Sequence, residues 1–153
     1  MSNFPPPAAT GQPAEWVQRF LAYLIDMAPF VVVYLVGIIL DGIAGTYLFT
    51  PLTFLAGFAW IIFNYGVKQG TTGYTVGKAV IGIKLVDGKT GQPVGTGMAI
   101  ARYFVHLLDA LPCYIGFLFP LWDAKKETFA DKILTHAVVV APKVDPKGLI
   151  LGN

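Results

Sequence analysis

The sequence predicts an all-α membrane protein: a small helical bundle with two full spans, a third hydrophobic segment that is broken or re-entrant, and a small cytoplasmic β element. Three observations carry this. Of 153 residues, 55% are hydrophobic and only 13% charged, against about 25% charged in a soluble domain. The mean hydropathy is +0.62. The apolar residues also gather in stretches long enough to cross a bilayer, separated by segments that hold most of the lysines.

Residues 1–15 open the chain as MSNFPPPAATGQPAE, rich in proline and without a base, and are expected to be a disordered tail. A membrane domain is expected over 16–141, followed by a C-terminal tail over 142–153. The first span, about 20–40, carries the single charge Asp26 and as a helix is roughly 31 Å long, matching a hydrocarbon core of about 30 Å. A cleavable signal needs a basic stretch ahead of its apolar core, whereas the first base here is Arg19. The segment is therefore read as a retained anchor. Asp41 to Thr50 has glycines and no base and is read as a loop, with Pro51 suited to the first turn of the next helix. The second span, about 47–67, is uncharged, and Trp60, Asn64 and Tyr65 lie toward its far end at headgroup level.

Lys68 to Gly97 changes character, with Lys68, Lys78, Lys84 and Lys89 among many glycines. Its run Ile81 to Val86, ending at Asp87-Gly88, reads as a strand entering a turn. The third apolar segment, about 98–122, contains Arg102, His106, Asp109, Pro112, Gly116 and Pro120, too many interruptions for one regular helix. The tail then carries Lys125, Lys126, Lys132, Lys143 and Lys147 and the β-branched run Ala137 to Ala141, a partner for Ile81 to Val86. Lysines favour the cytoplasm, so the N-terminus and the Lys68 to Gly97 loop are expected inside and Asp41 to Thr50 outside. A break near Pro112 keeps the tail lysines inside as well, which favours a re-entrant hairpin over a single crossing.

An internal echo links the first and third segments: Arg19, Asp26 and Pro29 recur as Arg102, Asp109 and Pro112, with an aromatic residue after each arginine. Seven residues are nearly two helical turns, so each arginine and aspartate share a face about 10 Å apart along the axis. Asp26 and Asp109 are then candidates for an ion or proton site, with Arg19 and Arg102 as counter-charges. The structural alternative weighs equally: snorkelling arginines, and aspartates that accept hydrogen bonds from neighbouring helices.

Other chemistry finds no support. Gly73 to Lys78 has one residue too few between its glycines for a phosphate loop, and Ala79 stands where a hydroxyl would hold magnesium. His106 and His136 lack clustered partners, so no metal is expected, and no cofactor. The lone Cys113 reads as an apolar packer, and the only serine is Ser2. An enzyme is not expected. A net charge of +2 without a dense basic run speaks against nucleic acid.

Three ordered motifs resemble the RDD family of bacterial integral membrane proteins, named for an arginine and two aspartates. Arg19 with Asp26 matches its first signature, Thr75 to Asp87 with Gly77, Lys78 and Gly82 its middle one, and Thr128 to Val140 with Asp131 its closing one. The likeness runs from about Trp16 to Val140 and departs from the usual closing pattern at His136, where threonine is commoner. Both Asp131 and Asp109 stand as the second family aspartate. The resemblance implies a multi-pass protein of the cell inner (plasma) membrane, with transport suspected and some members similar to cation/proton antiporters.

Two functions are expected in consequence. One is transport of ions or small solutes through the intramembrane aspartates and arginines. The other is a non-catalytic accessory or scaffold role, docking a partner through the cytoplasmic loop and tail. The expected partners are the lipid bilayer and either further copies of the chain or a larger membrane complex, since the chain is short for a solitary transporter.

Overall fold

The computed structural model describes residues 12–110, 134 and 136–151, with the side chains of 106–110 outside the description. The expected break at Pro112, the placement of Cys113 and Asp131 and the side chain of Asp109 therefore lie outside the described residues.

The first span is one helix, α1 (Trp16–Ala44), continuous through Pro29. Glu15 and Gln18 close a capping box at its start, and Gly45 ends it. Its burial is inverted relative to a soluble helix. The buried residues are Ala22, Asp26, Gly37 and Asp41, whereas Val32, Leu35 and Ile39 are each at least half exposed. Small and polar side chains face protein and large apolar ones face outward, the pattern of a helix solvated by lipid.

The chain turns at Gly45 to Leu48 and returns antiparallel as α2 (Phe49–Ile61), a π-helical stretch (Ile62–Lys68) and α3 (Gln69–Thr72). These run on as one rod from Phe49 to Thr72, and with Trp16–Ala44 they are, among the described residues, the two helices long and apolar enough to cross a membrane. Phe30, Tyr34 and Phe54 pack edge to face between them. The first span is found longer at both ends and the second longer at its far end, because the helices continue past the hydrocarbon-matched stretch. Asp41, expected in the loop, is in the last turn of α1, and α2 starts at Phe49 rather than Tyr47.

Beyond the second span the chain forms a small cap. It comprises α4 (Val76–Ile81), β1 (Ile83–Asp87) and, after α5 (Thr96–Ala110), β2 (His136–Val140) and α6 (Pro146–Leu151). The expected strand pair is present and antiparallel, Ile83 opposite Val140 and Asp87 opposite His136. Its boundaries differ from the predicted ones because Ile81 ends α4. Gly82 follows with φ of 86°, a left-handed turn that glycine adopts without strain. The last part of the proline-rich opening is ordered too: Ala14 donates to Val138 and Val140 to Gln12, so residues 12–14 line the free edge of β2. Ala14, Ala22, Ile83, Leu85 and Val138 make the cap's core, which seals the start of α1. In the C-terminal tail, α6 folds back on α4 through Leu149. The third segment begins as α5, which packs on the π-helical stretch.

A buried carboxylate cradle between the spans and the cap

The site forms around Asp26, which is 1% exposed. It lies nearly three turns into α1 on the narrow face that carries Ala22, and three elements bring donors to it. From the second span, Asn64 donates its amide Nδ2 to Asp26 Oδ1 at 2.7 Å. From the residue that caps α4, Thr75 donates its hydroxyl to Oδ2 at 2.5 Å. From α4 itself, the Gly77 peptide N–H donates to Oδ1 at 2.7 Å. Hydrogen bonds to an ionised acceptor are short and about twice as strong as neutral ones. The Tyr65 phenol lies beside the same carboxylate, and Trp60 donates its indole N–H to the Asp26 carbonyl at 3.1 Å.

Each contributor is held by a second bond. Asn64 Oδ1 accepts the Val76 N–H at 2.9 Å, so one amide side chain bridges α1 to α4. Asn64 lies in the π-helical stretch of the second span, a winding found frequently at functional sites. Thr75 Oγ1 accepts the Lys78 N–H at 3.2 Å as an N-cap while giving its proton to Asp26. Gly77 must lack a side chain, because a Cβ there would run into the Ala22 carbonyl. Lys78, buried to 8% exposure, donates to Gln69 at the end of the second span. Within the Gly73 to Lys78 stretch, which falls one residue short of a phosphate loop, Thr75 and Gly77 thus cradle an anion, the chain's own aspartate.

Of the predicted site residues, Asp26, Gly77 and Lys78 come together, and Gly82 ends α4 a turn later. Arg19 stands at the mouth of α1, its Nε donating to the Ala14 carbonyl at 3.3 Å. Arg102 on α5 is 5% exposed, so its guanidinium is held within the protein rather than extended to the headgroups. The expected approach of Asp26 to Asp109 lies outside the described side chains, as does any role of Asp131. His136, 2% exposed, sits opposite Asp87 across the strand pair. The Thr90 N–H holds the Asp87 carboxyl below its usual range, helped by Lys89 and the nearby His136 and opposed by partial desolvation.

Sequence reasoning missed Asn64 and Thr75 as site residues, since an amide and a hydroxyl carry no charge to mark them. It also missed a second buried acid. Asp41 Oδ1 accepts the Thr46 hydroxyl at 2.9 Å and the Phe49 N–H at 2.8 Å, and Oδ2 accepts the Thr50 N–H at 2.8 Å. From the end of α1 it thereby caps the start of α2. An acid a few residues before a Thr-Pro helix start was the available signal.

The chain is 38% identical over 148 residues to the "Proline-rich antigen homolog" of Mycobacterium tuberculosis (strain ATCC 25618 / H37Rv), covering 81% of this chain and 62% of that one. It is 38% identical over 157 residues to the "Proline-rich antigen" of Mycobacterium leprae, covering 84% and 63%. It is 27% identical over 136 residues to the "Uncharacterized protein YxaI" of Bacillus subtilis, covering 75% and 89%. The chain thus spans a little over three-fifths of the length of its mycobacterial relatives. No solved structure matches significantly. The RDD family model matches residues 13–135, from the residue bridged to β2 to the one before that strand, and the chain is a membrane protein of the RDD family.

Proposed function

We propose that the chain is a non-catalytic, membrane-embedded assembly module, in which Asp26 locks the cap onto the two spans so that the cap serves as a docking platform. The supporting observation is the chemistry of the cradle: an amide N–H, a hydroxyl and a peptide N–H all donate to the carboxylate. A bound cation needs a shell of oxygen acceptors, whereas these groups satisfy an anion. The lysine distribution supports a cytoplasmic cap and N-terminus in the plasma membrane. The short chain favours function in a homo-oligomer or larger complex. Lys89, Thr90 and Gln92 are exposed on the loop and open to a partner.

Ion transport is the second reading, favoured by one observation: a carboxylate 1% exposed within a helix long and apolar enough to cross a membrane, a position that elsewhere marks ion and proton paths. Proteoliposomes holding only this protein discriminate the two. The module reading expects no cation-driven proton flux from the wild type, and loss of cap docking in Asp26→Asn. Flux that the wild type shows and Asp26→Asn lacks would refute it.

A further inference from the structure

We infer that the C-terminal helix α6 is a membrane-surface foot, seated on anionic lipid by Lys143 and Lys147 with Ile150 and Leu151 dipping beneath the headgroups. The depth of this part of the molecule follows from its contacts. Gly77 of α4 lies against the Ala22 backbone and hydrogen-bonds to Asp26, both near the cap-side end of the first span, so α4 stands at the level where headgroups give way to hydrocarbon. The tail is pinned along α4. Ala141 donates to Gly82 at 2.9 Å and Val144 to Ala79 at 3.0 Å, and Leu149 packs with Tyr74 and Ala79. The outer surface of this unit is apolar, with Val80 and Ile150 each 38% exposed and Leu151 73% exposed.

Charge favours lipid as the occupant. Lys143 and Lys147 are exposed. Lys84 lies 5.6 Å over the Tyr74 ring, whose hydroxyl donates to the Pro142 carbonyl at 3.2 Å, so a third ammonium borders the same face. The acid beside them, Asp145, takes the Lys147 peptide N–H on one oxygen at 3.0 Å. Aliphatic tips below a lysine fringe are the pattern of an interfacial helix on anionic lipid. Each lysine near such a surface shifts the docking equilibrium about five-fold.

The inference rests on the proposed function only in placing the cap at the membrane, and the test separates the two. The full chain, with Cys113→Ser, is labelled with a fluorophore through Leu151→Cys, and separately through Val80→Cys as a depth reference. It is then placed in phosphatidylcholine nanodiscs with or without phosphatidylglycerol, containing a nitroxide-bearing lipid. Quenching at position 151 is expected to be strong with phosphatidylglycerol and weak without it, and Lys143→Gln with Lys147→Gln should remove the difference. Equal quenching in both lipids, or quenching indifferent to the lysines, would overturn the proposal. Absence of quenching at 151 with protection from aqueous iodide would overturn it in favour of a protein occupant. Absence of quenching at position 80 would instead refute the placement of the cap at the membrane.

Discussion

Removing the Asp26 carboxylate strands three donors at once, and the size of that effect follows from the cradle. In Asp26→Ala, the Asn64 amide, the Thr75 hydroxyl and the Gly77 N–H lose their acceptor. At about 1–3 kcal/mol per stranded donor, with water entry and relaxation lowering the sum, the expected destabilisation is about 3–5 kcal/mol. Asp26→Asn keeps one oxygen for Asn64 and Gly77 but turns an amide toward Thr75 Oγ1, which already accepts from Lys78. The expected cost is about 1–3 kcal/mol, from lost charge assistance and one lost bond. The assay is denaturant-induced unfolding in mild detergent, with amide exchange at Val76 and Gly77 as the local readout. Combining Asp26→Asn with Asn64→Asp moves the charge across the bond and should recover about 1 kcal/mol relative to additivity. The reasoning fails if Asp26→Ala costs less than about 1 kcal/mol or leaves exchange at those amides unchanged.

Gly77→Ala should push α4 off Ala22 and destabilise by about 1–3 kcal/mol, with faster exchange at the Thr75 to Lys78 amides as the check. Asp41→Ala should cost about 1–2 kcal/mol by uncapping α2; thermal unfolding should fall while exchange at Gly77 stays at the wild-type rate, since the two acids lie about four turns apart on α1. Asp87 has a lowered carboxyl pKa in the folded chain, so its contribution is complete above the unfolded carboxylate range of about 4 and is lost as pH falls through the lower folded value. Protection of the Lys89 and Thr90 amides should therefore be flat from about pH 7 to 5 and fall only on further acidification, and Asp87→Asn should abolish that dependence. For orientation, a cysteine at position 147 in a Cys113→Ser chain should resist an impermeant thiol reagent added outside intact cells; because the tail is paired with β1 and α4, labelling there would place the whole cap outside and refute its cytoplasmic orientation.

What the sequence made legible was what lipid selects directly. Apolar stretches must match the hydrocarbon thickness, and a charge inside one must be explained, so both spans and Asp26 stood out. The partners of Asp26 did not, because Asn64 and Thr75 lie 38 and 49 residues away and neither residue type is unusual near a helix end. The π-helical winding that carries Asn64 has no periodic signature, since it is a local change within an apolar rod. The strand pair was legible from its β-branched runs, but its register was not. Gly82 takes a left-handed turn, and Ile81, as β-branched as its neighbours, therefore belongs to α4.

The direction of the cradle's hydrogen bonds governs how any ion-linked behaviour of this chain must arise. A carboxylate within the bilayer is costly unless donors surround it, and here those donors come from both the second span and the cap. Admitting a cation to Asp26 would turn at least one donor away, and the donors are themselves structural: Thr75 starts α4, Gly77 touches α1, and Asn64 ties the second span to Val76. Cation entry at Asp26 would therefore compete with the bonds that hold the cap to the spans. If wild-type flux were found, it should rise and fall with amide exchange at Val76 and Gly77, because the same opening serves both. Flux with those amides fully protected would mean that ions take a route that bypasses Asp26.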